Sequence, residues 1–139
     1  AREVDYKRAS GKAIGPLGGL PIMFKDNINT VGFPTTAGTA FLKNYMPKTN
    51  APLVDILYRN GGILFAKANM HELAMGSTSA NLTFGAVKNP YDLSRIAGGS
   101  TGGGAAALAA LLSGAWRAPA GAHIGVVLCG ANCDPGSVV

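Results

Sequence analysis

Cysteine and histidine are scarce in this chain of 139 residues: Cys129 and Cys133, His71 and His123 are all it holds. A lone Cys-x-x-x-Cys pair with one nearby imidazole lacks the second pair that a structural zinc site needs, so neither metal nor cofactor is expected. Charge is thin too, at 14% charged residues and a net charge of +5. The basic residues are scattered rather than gathered into a block, which argues for ordinary solubilising charge over nucleic-acid binding. No uninterrupted apolar run is long enough to cross a bilayer, and no basic-plus-apolar leader opens the chain. A soluble cytoplasmic protein without a membrane partner is the expectation. The chain opens on Ala1 rather than methionine, which reads as a processed start or a piece of something longer.

What is abundant is apolar: 47% of residues are hydrophobic, enough for one domain with a core rather than a disordered tail. The 20 glycines imply many tight turns and close backbone approaches. Leu20 to Phe24 (LPIMF) has the length of a strand, buried on both faces if it sits inside a sheet, and ends abruptly at Lys25-Asp26-Asn27. Residues 30 to 40 read as loop. Thr49 or Asn50 then offers a cap, Pro52 suits the first turn of a helix, and Leu53, Val54, Ile56 and Leu57 give it an apolar stripe. Asn60-Gly61-Gly62 stops that helix, and Ile63 to Phe65 follows as a strand, the rhythm of an α/β fold. His71 to Met75 fits one helical turn and Asn81 to Pro90 is loop-like. Gly98 to Gly104 is a glycine-rich loop running into the strong helix former AAALAALL (Ala105 to Leu112), closed by Ser113-Gly114. The first dozen residues trail off from some earlier element.

Two features could carry chemistry. Lys25 closes an apolar strand, where burial disfavours a charged amine and a neutral lysine serves as a general base. The plainer reading is a lysine that reaches out to water or pairs with Asp26. The loop Gly98-Gly99-Ser100-Thr101-Gly102-Gly103-Gly104 could gather backbone N–H groups on an anion. A phosphate loop of the form GxxxxGK(S/T) would need a lysine where Ala105 stands. A tight turn with a helix cap from Ser100 or Thr101 explains the same residues. His71-Glu72 lacks the second histidine of a metalloprotease helix and reads as a surface turn.

In their order along the chain these signals resemble the amidase signature family. The stretches GLPIMFKDNINTVGFPTTAGT (Gly19 to Thr39) and AKANMHELAMGSTSANLTFGAVKNPYDLSRIAGGSTGGGAAALAA (Ala66 to Ala110) carry the likeness. The family pattern is a strand ending in Lys-Asp, then Asn-x-x-Glu, Phe-Gly-x-x-x-Asn-Pro and Gly-Gly-Ser-Ser-Gly-Gly before an alanine-rich helix. Here stand Lys25-Asp26, Asn69-Met70-His71-Glu72, Phe84-Gly85 with Asn89-Pro90, and Gly98-Gly99-Ser100-Thr101-Gly102-Gly103. The resemblance implies an α/β fold, the N-terminal portion of a mixed β-sheet covered by α-helices. It divides the chain into an N-terminal remnant (1–14), a family-like region (15–112) and a divergent tail (113–139).

The resemblance further implies hydrolysis of a carboxylic amide C–N bond through a Ser–cis-Ser–Lys relay, with a small-molecule amide as substrate. Lys25 would be the catalytic lysine and Ser100 the bridging serine after a cis peptide bond. Gly99 and Thr101 would support it, Thr101 standing where a second serine is usual, and Ala74, Met75 and Gly76 would touch substrate. The motifs are most similar to the branch of indoleacetamide and mandelamide hydrolases. The glutamine-amidotransferase subunit that amidates charged tRNA stays open, as does the oligomeric state.

The third member of the relay is missing. The family needs a segment of the form Gly-x-Asp-Thr-Gly-Gly-Ser-x-Arg, whose serine attacks and whose preceding N–H groups form the oxyanion hole. By spacing that serine belongs near Ile124, and none is there; Ser113 comes too early and Ser137 too late. No nucleophile is identifiable. A lost internal segment or a slipped reading frame after Leu112 fits this pattern, leaving a chain that is inactive by itself and exposes apolar faces. The competing reading is a non-catalytic anion-binding or scaffolding module on the Gly98–Gly104 loop.

Overall fold

A computed structural model describes residues 2–114 and Arg117. The readings of His123, the Ile124 position, Cys129, Cys133 and Ser137 lie outside the described residues, as does most of the tail 113–139.

The central pairing is between two strands far apart in sequence. β1 (Pro21–Lys25) and β2 (Ile63–Ala68) run parallel, with Phe24 opposite Lys67 and Lys25 opposite Ala68. The register shifts at Ile22/Met23. Parallel strands need a long crossover, and here it holds the loop after Lys25 and the helix α2 (Pro52–Arg59). As expected, Pro52 opens that helix; its cap is Ala51, and no side chain bonds the first turn. Asn50 is spent elsewhere, accepting the Val31 N–H at 2.7 Å and donating to Asp55 at 2.8 Å. Val54 is fully buried, and Tyr58 meets Phe24 of β1 edge-on at 6.5 Å between ring centres. These contacts fasten the crossover to the pair.

Burial of the first strand on both faces is expected only inside a sheet, and among the described residues β1 is an edge strand. In β1 only Phe24 is buried and Pro21 is exposed. A strand paired on one side keeps its other edge and part of its faces open, and among the described residues β1 pairs with β2 alone.

Three further differences have local causes. The opening residues form a helix, α1 (Arg2–Ala9), held by Glu3 and Lys7 at 2.7 Å with nothing buried; the spacing suits helical ion pairing. The segment expected as loop ends in a short antiparallel ladder, β3 (Lys88–Asn89) with β4 (Asp92–Ile96), turning at Pro90-Tyr91. Finally, helix α3 (Gly102–Leu112) begins inside the glycine loop rather than after it. It packs on β1, β2 and β3.

Polar groups contribute much of the buried interior: Thr30, Thr35, Thr36, Thr39, Ser79 and Asn81 join Phe24, Val54, Ala68 and Met70. Asn81 shows how such an interior stays satisfied. Its amide donates to the carbonyls of Gly38 at 2.7 Å and Met70 at 3.2 Å, and its oxygen accepts the N–H groups of Thr83 and Phe84. Among the described residues no helix is long and apolar enough to cross a membrane.

Candidate active site

β1 ends at Lys25, opposite Ala68 at the end of β2. The chain after β2 reaches over to the glycine loop. The Gly103 N–H donates to the Asn69 carbonyl at 2.9 Å, and the His71 N–H donates to the Ser100 carbonyl at 3.1 Å. A Cβ on Gly103 would lie 2.7 Å from the Asn69 nitrogen, so only glycine lets α3 start this close to the strand end.

This docking brings Lys25 and Ser100 together. Lys25 Nζ donates to Ser100 Oγ at 2.6 Å across 75 residues of sequence. Both residues are half-buried. The peptide bond between Gly99 and Ser100 is cis.

Lys25 therefore neither points to bulk water nor pairs with Asp26. The Asp26 carboxylate is taken by Lys67 at 3.3 Å and by the backbone and hydroxyl of Thr36. Lys67 also donates to the Ile28 carbonyl at 2.8 Å, the Pro34 carbonyl at 3.3 Å and the Thr35 hydroxyl at 2.9 Å. Burial pulls Lys67 below its usual 10.5, and Asp26 opposes that shift. With its neighbouring carboxylate engaged, Lys25 is left to the serine.

Of the predicted substrate-touching residues, Gly76 lies beside the same loop. A Cβ on Gly99 would strike Ser79 and would come within 3.1 Å of the Gly76 carbonyl. Gly76 thus borders the cis bond. Ala74 has φ +60 and closes a 3-10 turn over Glu72–Ala74, Met75 is 83% exposed, and Gly76 lies under the His71 ring. That turn stands where a single helical turn is expected. Thr101 occupies the cap position of α3, but no side chain caps the helix there. Instead the Gly102 N–H donates to Ser79 Oγ at 3.0 Å. An anion site at this helix start is disfavoured for that reason, because Gly102 and Gly103 already spend their N–H groups inside the protein.

Sequence reasoning passed over Lys67, Ser79 and Asn81. Lys67 left a faint signal as a charge inside ILFAKA; Ser79 and Asn81 sit in a polar stretch without one.

Comparison with known proteins gives the family and the fold. The family model described as Amidase matches residues 1–115. A glutamyl-tRNA(Gln) amidotransferase subunit from Salinispora tropica is 48% identical over 110 residues, covering 79% of this chain and 22% of that protein. Its counterpart from Carboxydothermus hydrogenoformans is 46% identical over 110 residues, covering 79% of this chain and 23% of that protein. Among solved structures, the peptide amidase of Stenotrophomonas maltophilia superposes with a TM-score of 0.74 at 36% identity, over 79% of this chain and 23% of that one. The chain thus spans under a quarter of the length of these relatives.

Proposed function

The chain belongs to the amidase signature family, and on that premise we propose that Lys25 and Ser100 form the proton-relay half of a site that hydrolyses a carboxylic amide C–N bond. The observation that carries this reading is the 2.6 Å contact between Lys25 Nζ and Ser100 Oγ. With the amine neutral, the same contact runs the other way. Lys25 takes the Ser100 proton while Ser100 takes one from an attacking hydroxyl. The attacking oxygen bonds to the amide carbon, the tetrahedral centre collapses, and the C–N bond breaks. The proton held on Lys25 returns through Ser100 to the leaving amine. Water then enters by the same route, and its attack frees the acid from the acyl intermediate. One proton shuttles between an amine and hydroxyls, so the relay needs no cofactor. Relatives named as a peptide amidase and as part of an amidotransferase support a carboxylic amide as substrate class.

The attacking hydroxyl is the part this sequence does not supply. No Gly-x-Asp-Thr-Gly-Gly-Ser-x-Arg segment occurs in it. Loss of one oxyanion-hole donor alone lowers rates about 10²–10³-fold, and here the nucleophile is lacking too. The chain by itself is therefore a relay without an attacking group and does not turn over amides.

A chimera tests this reading. Residues 15–112 would replace the matching part of the Stenotrophomonas peptide amidase, which brings its own remaining segments. The chimera is expected to hydrolyse amides, and Lys25→Ala or Ser100→Ala within it to lower kcat about 10²–10⁴-fold with little change in KM. A folded chimera whose activity ignores Lys25 sinks the proposal.

A further inference from the structure

Ser79 lies in the segment before β3 and takes no part in the relay. Its side chain is fully buried, and its backbone holds φ at +50, a left-handed conformation that residues with a Cβ adopt rarely. Such an outlier persists where the surroundings impose it, often beside a functional group. Its surroundings here are the loop that carries Ser100.

Gly99 and Gly102 flank Ser100-Thr101, and both close on the same hydroxyl. A Cβ on Gly99 would lie 2.7 Å from Ser79 Oγ, and one on Gly102 would lie closer still. The Gly102 N–H donates to that oxygen at 3.0 Å. From behind, the Ser79 carbonyl accepts the Val87 N–H at 3.2 Å, just before β3. The hydroxyl thus sits as a peg between the two glycines, held in place by its own backbone.

We propose that Ser79 is a positioning residue: its hydroxyl pins the loop on both sides of Ser100 and so sets the distance from Ser100 Oγ to Lys25. The inference rests on the relay reading above, because a fixed Ser100 matters only if Lys25 uses it. The chemistry calls for a small hydroxyl. Alanine leaves the Gly102 N–H without its acceptor, whereas cysteine keeps the shape and weakens the bond. Threonine adds a methyl where the two glycines already leave no room.

The test uses the full 139-residue chain with ¹⁵N at the lysine Nζ positions. The Lys25 signal, assigned by its loss in Lys25→Met, is expected to show slow proton exchange that Ser100→Ala abolishes. In Ser79→Ala and Ser79→Cys the exchange should speed up about tenfold, the factor of one net hydrogen bond. Thr30→Val, a control at another fully buried hydroxyl, should leave it unchanged. Where Ser79→Ala fails to fold, Ser79→Cys carries the test alone.

A Lys25 signal indifferent to Ser100→Ala overturns the relay reading and this proposal with it. A signal that responds to Ser100→Ala but not to either Ser79 variant overturns the positioning role alone. An equal response to Thr30→Val, or loss of the fold in both Ser79 variants, reduces Ser79 to general structural support and overturns it too.

Discussion

Lys67 and Asp26 meet at 3.3 Å, one from β2 and the other immediately after the Lys25 that ends β1. Both side chains are largely buried, and the pair is enclosed by the carbonyls of Ile28 and Pro34 and the hydroxyls of Thr35 and Thr36. Those partners come from the loop after Lys25, so the pair pins that loop to the strand beside it. Removing one member leaves the other charge buried without a counterion. Lys67→Met should therefore destabilise the chain by about 3 kcal/mol, and Asp26→Asn by a similar amount. The double substitution should cost less than the sum. Urea unfolding of the four proteins measures the coupling.

The same lysine gives stability a pH dependence. Its folded value lies below 10.5 because desolvation outweighs Asp26. Between that folded value and 10.5 the unfolded chain binds more protons at this site, so stability rises with pH there. The contribution is complete above 10.5 and is lost as pH falls through the folded value. The difference in unfolding free energy between the parent chain and Lys67→Met should thus widen towards pH 10.5. A difference that stays flat across the alkaline range contradicts it.

The Lys25–Ser100 contact was legible in the sequence because its members are tied to local signatures: Lys25 ends an apolar run, and Ser100 sits in a glycine loop before an alanine helix. α2 and the strands that flank it were legible through apolar pattern and Pro52, not through the expected caps, since Ala51 caps α2 without a side-chain bond. β4 was not, because four of its five residues are exposed and leave no alternation to read. α1 buries nothing and is held by local ion pairs that any charged stretch can offer. Lys67, Ser79 and Asn81 were illegible for another reason: their partners at Ile28, Gly102 and Gly38 lie 39, 23 and 43 residues away. Only folding reveals such pairings.

Asn81 allows a test in which shape is kept and chemistry reversed. Its amide donates to two carbonyls while its oxygen accepts two N–H groups. Asn81→Asp turns the donating end into a carboxylate facing the Gly38 and Met70 carbonyls. We expect a loss of about 2–4 kcal/mol at neutral pH. Acidification should partly restore it, since a protonated carboxyl can donate again. Thermal unfolding at two pH values decides the matter.

Surface composition predicts how the isolated chain behaves. Leu82 and Phe41 are almost fully exposed, and Phe65, Met75 and Leu112 are mostly so. Apolar exposure on this scale marks an interaction surface or an association hazard. Light scattering should therefore rise with protein concentration, and Phe41→Lys with Leu82→Lys should lower it without shifting the unfolding midpoint. A monomer at all concentrations would contradict the expectation.

Gly103→Ala sets helix propensity against packing. Alanine inside a helix is favoured over glycine by about 1 kcal/mol, so propensity alone predicts a more stable α3. The added Cβ, however, would lie 2.7 Å from the Asn69 nitrogen and 2.8 Å from its carbonyl oxygen. Both are backbone atoms at the end of β2 and cannot swing aside as a side chain could. The helix start must back away, which stretches the 2.9 Å bond from the Gly103 N–H to Asn69. Overpacking of this kind costs about 1–3 kcal/mol, and the strained or broken hydrogen bond adds about 1 kcal/mol. Packing should win: Gly103→Ala is expected to be destabilising by about 1–3 kcal/mol net. Because α3 carries Ser100 at its threshold, the substitution should also loosen the Ser100–Lys25 contact. A rise in the unfolding midpoint would show that the helix start has room the structure denies it.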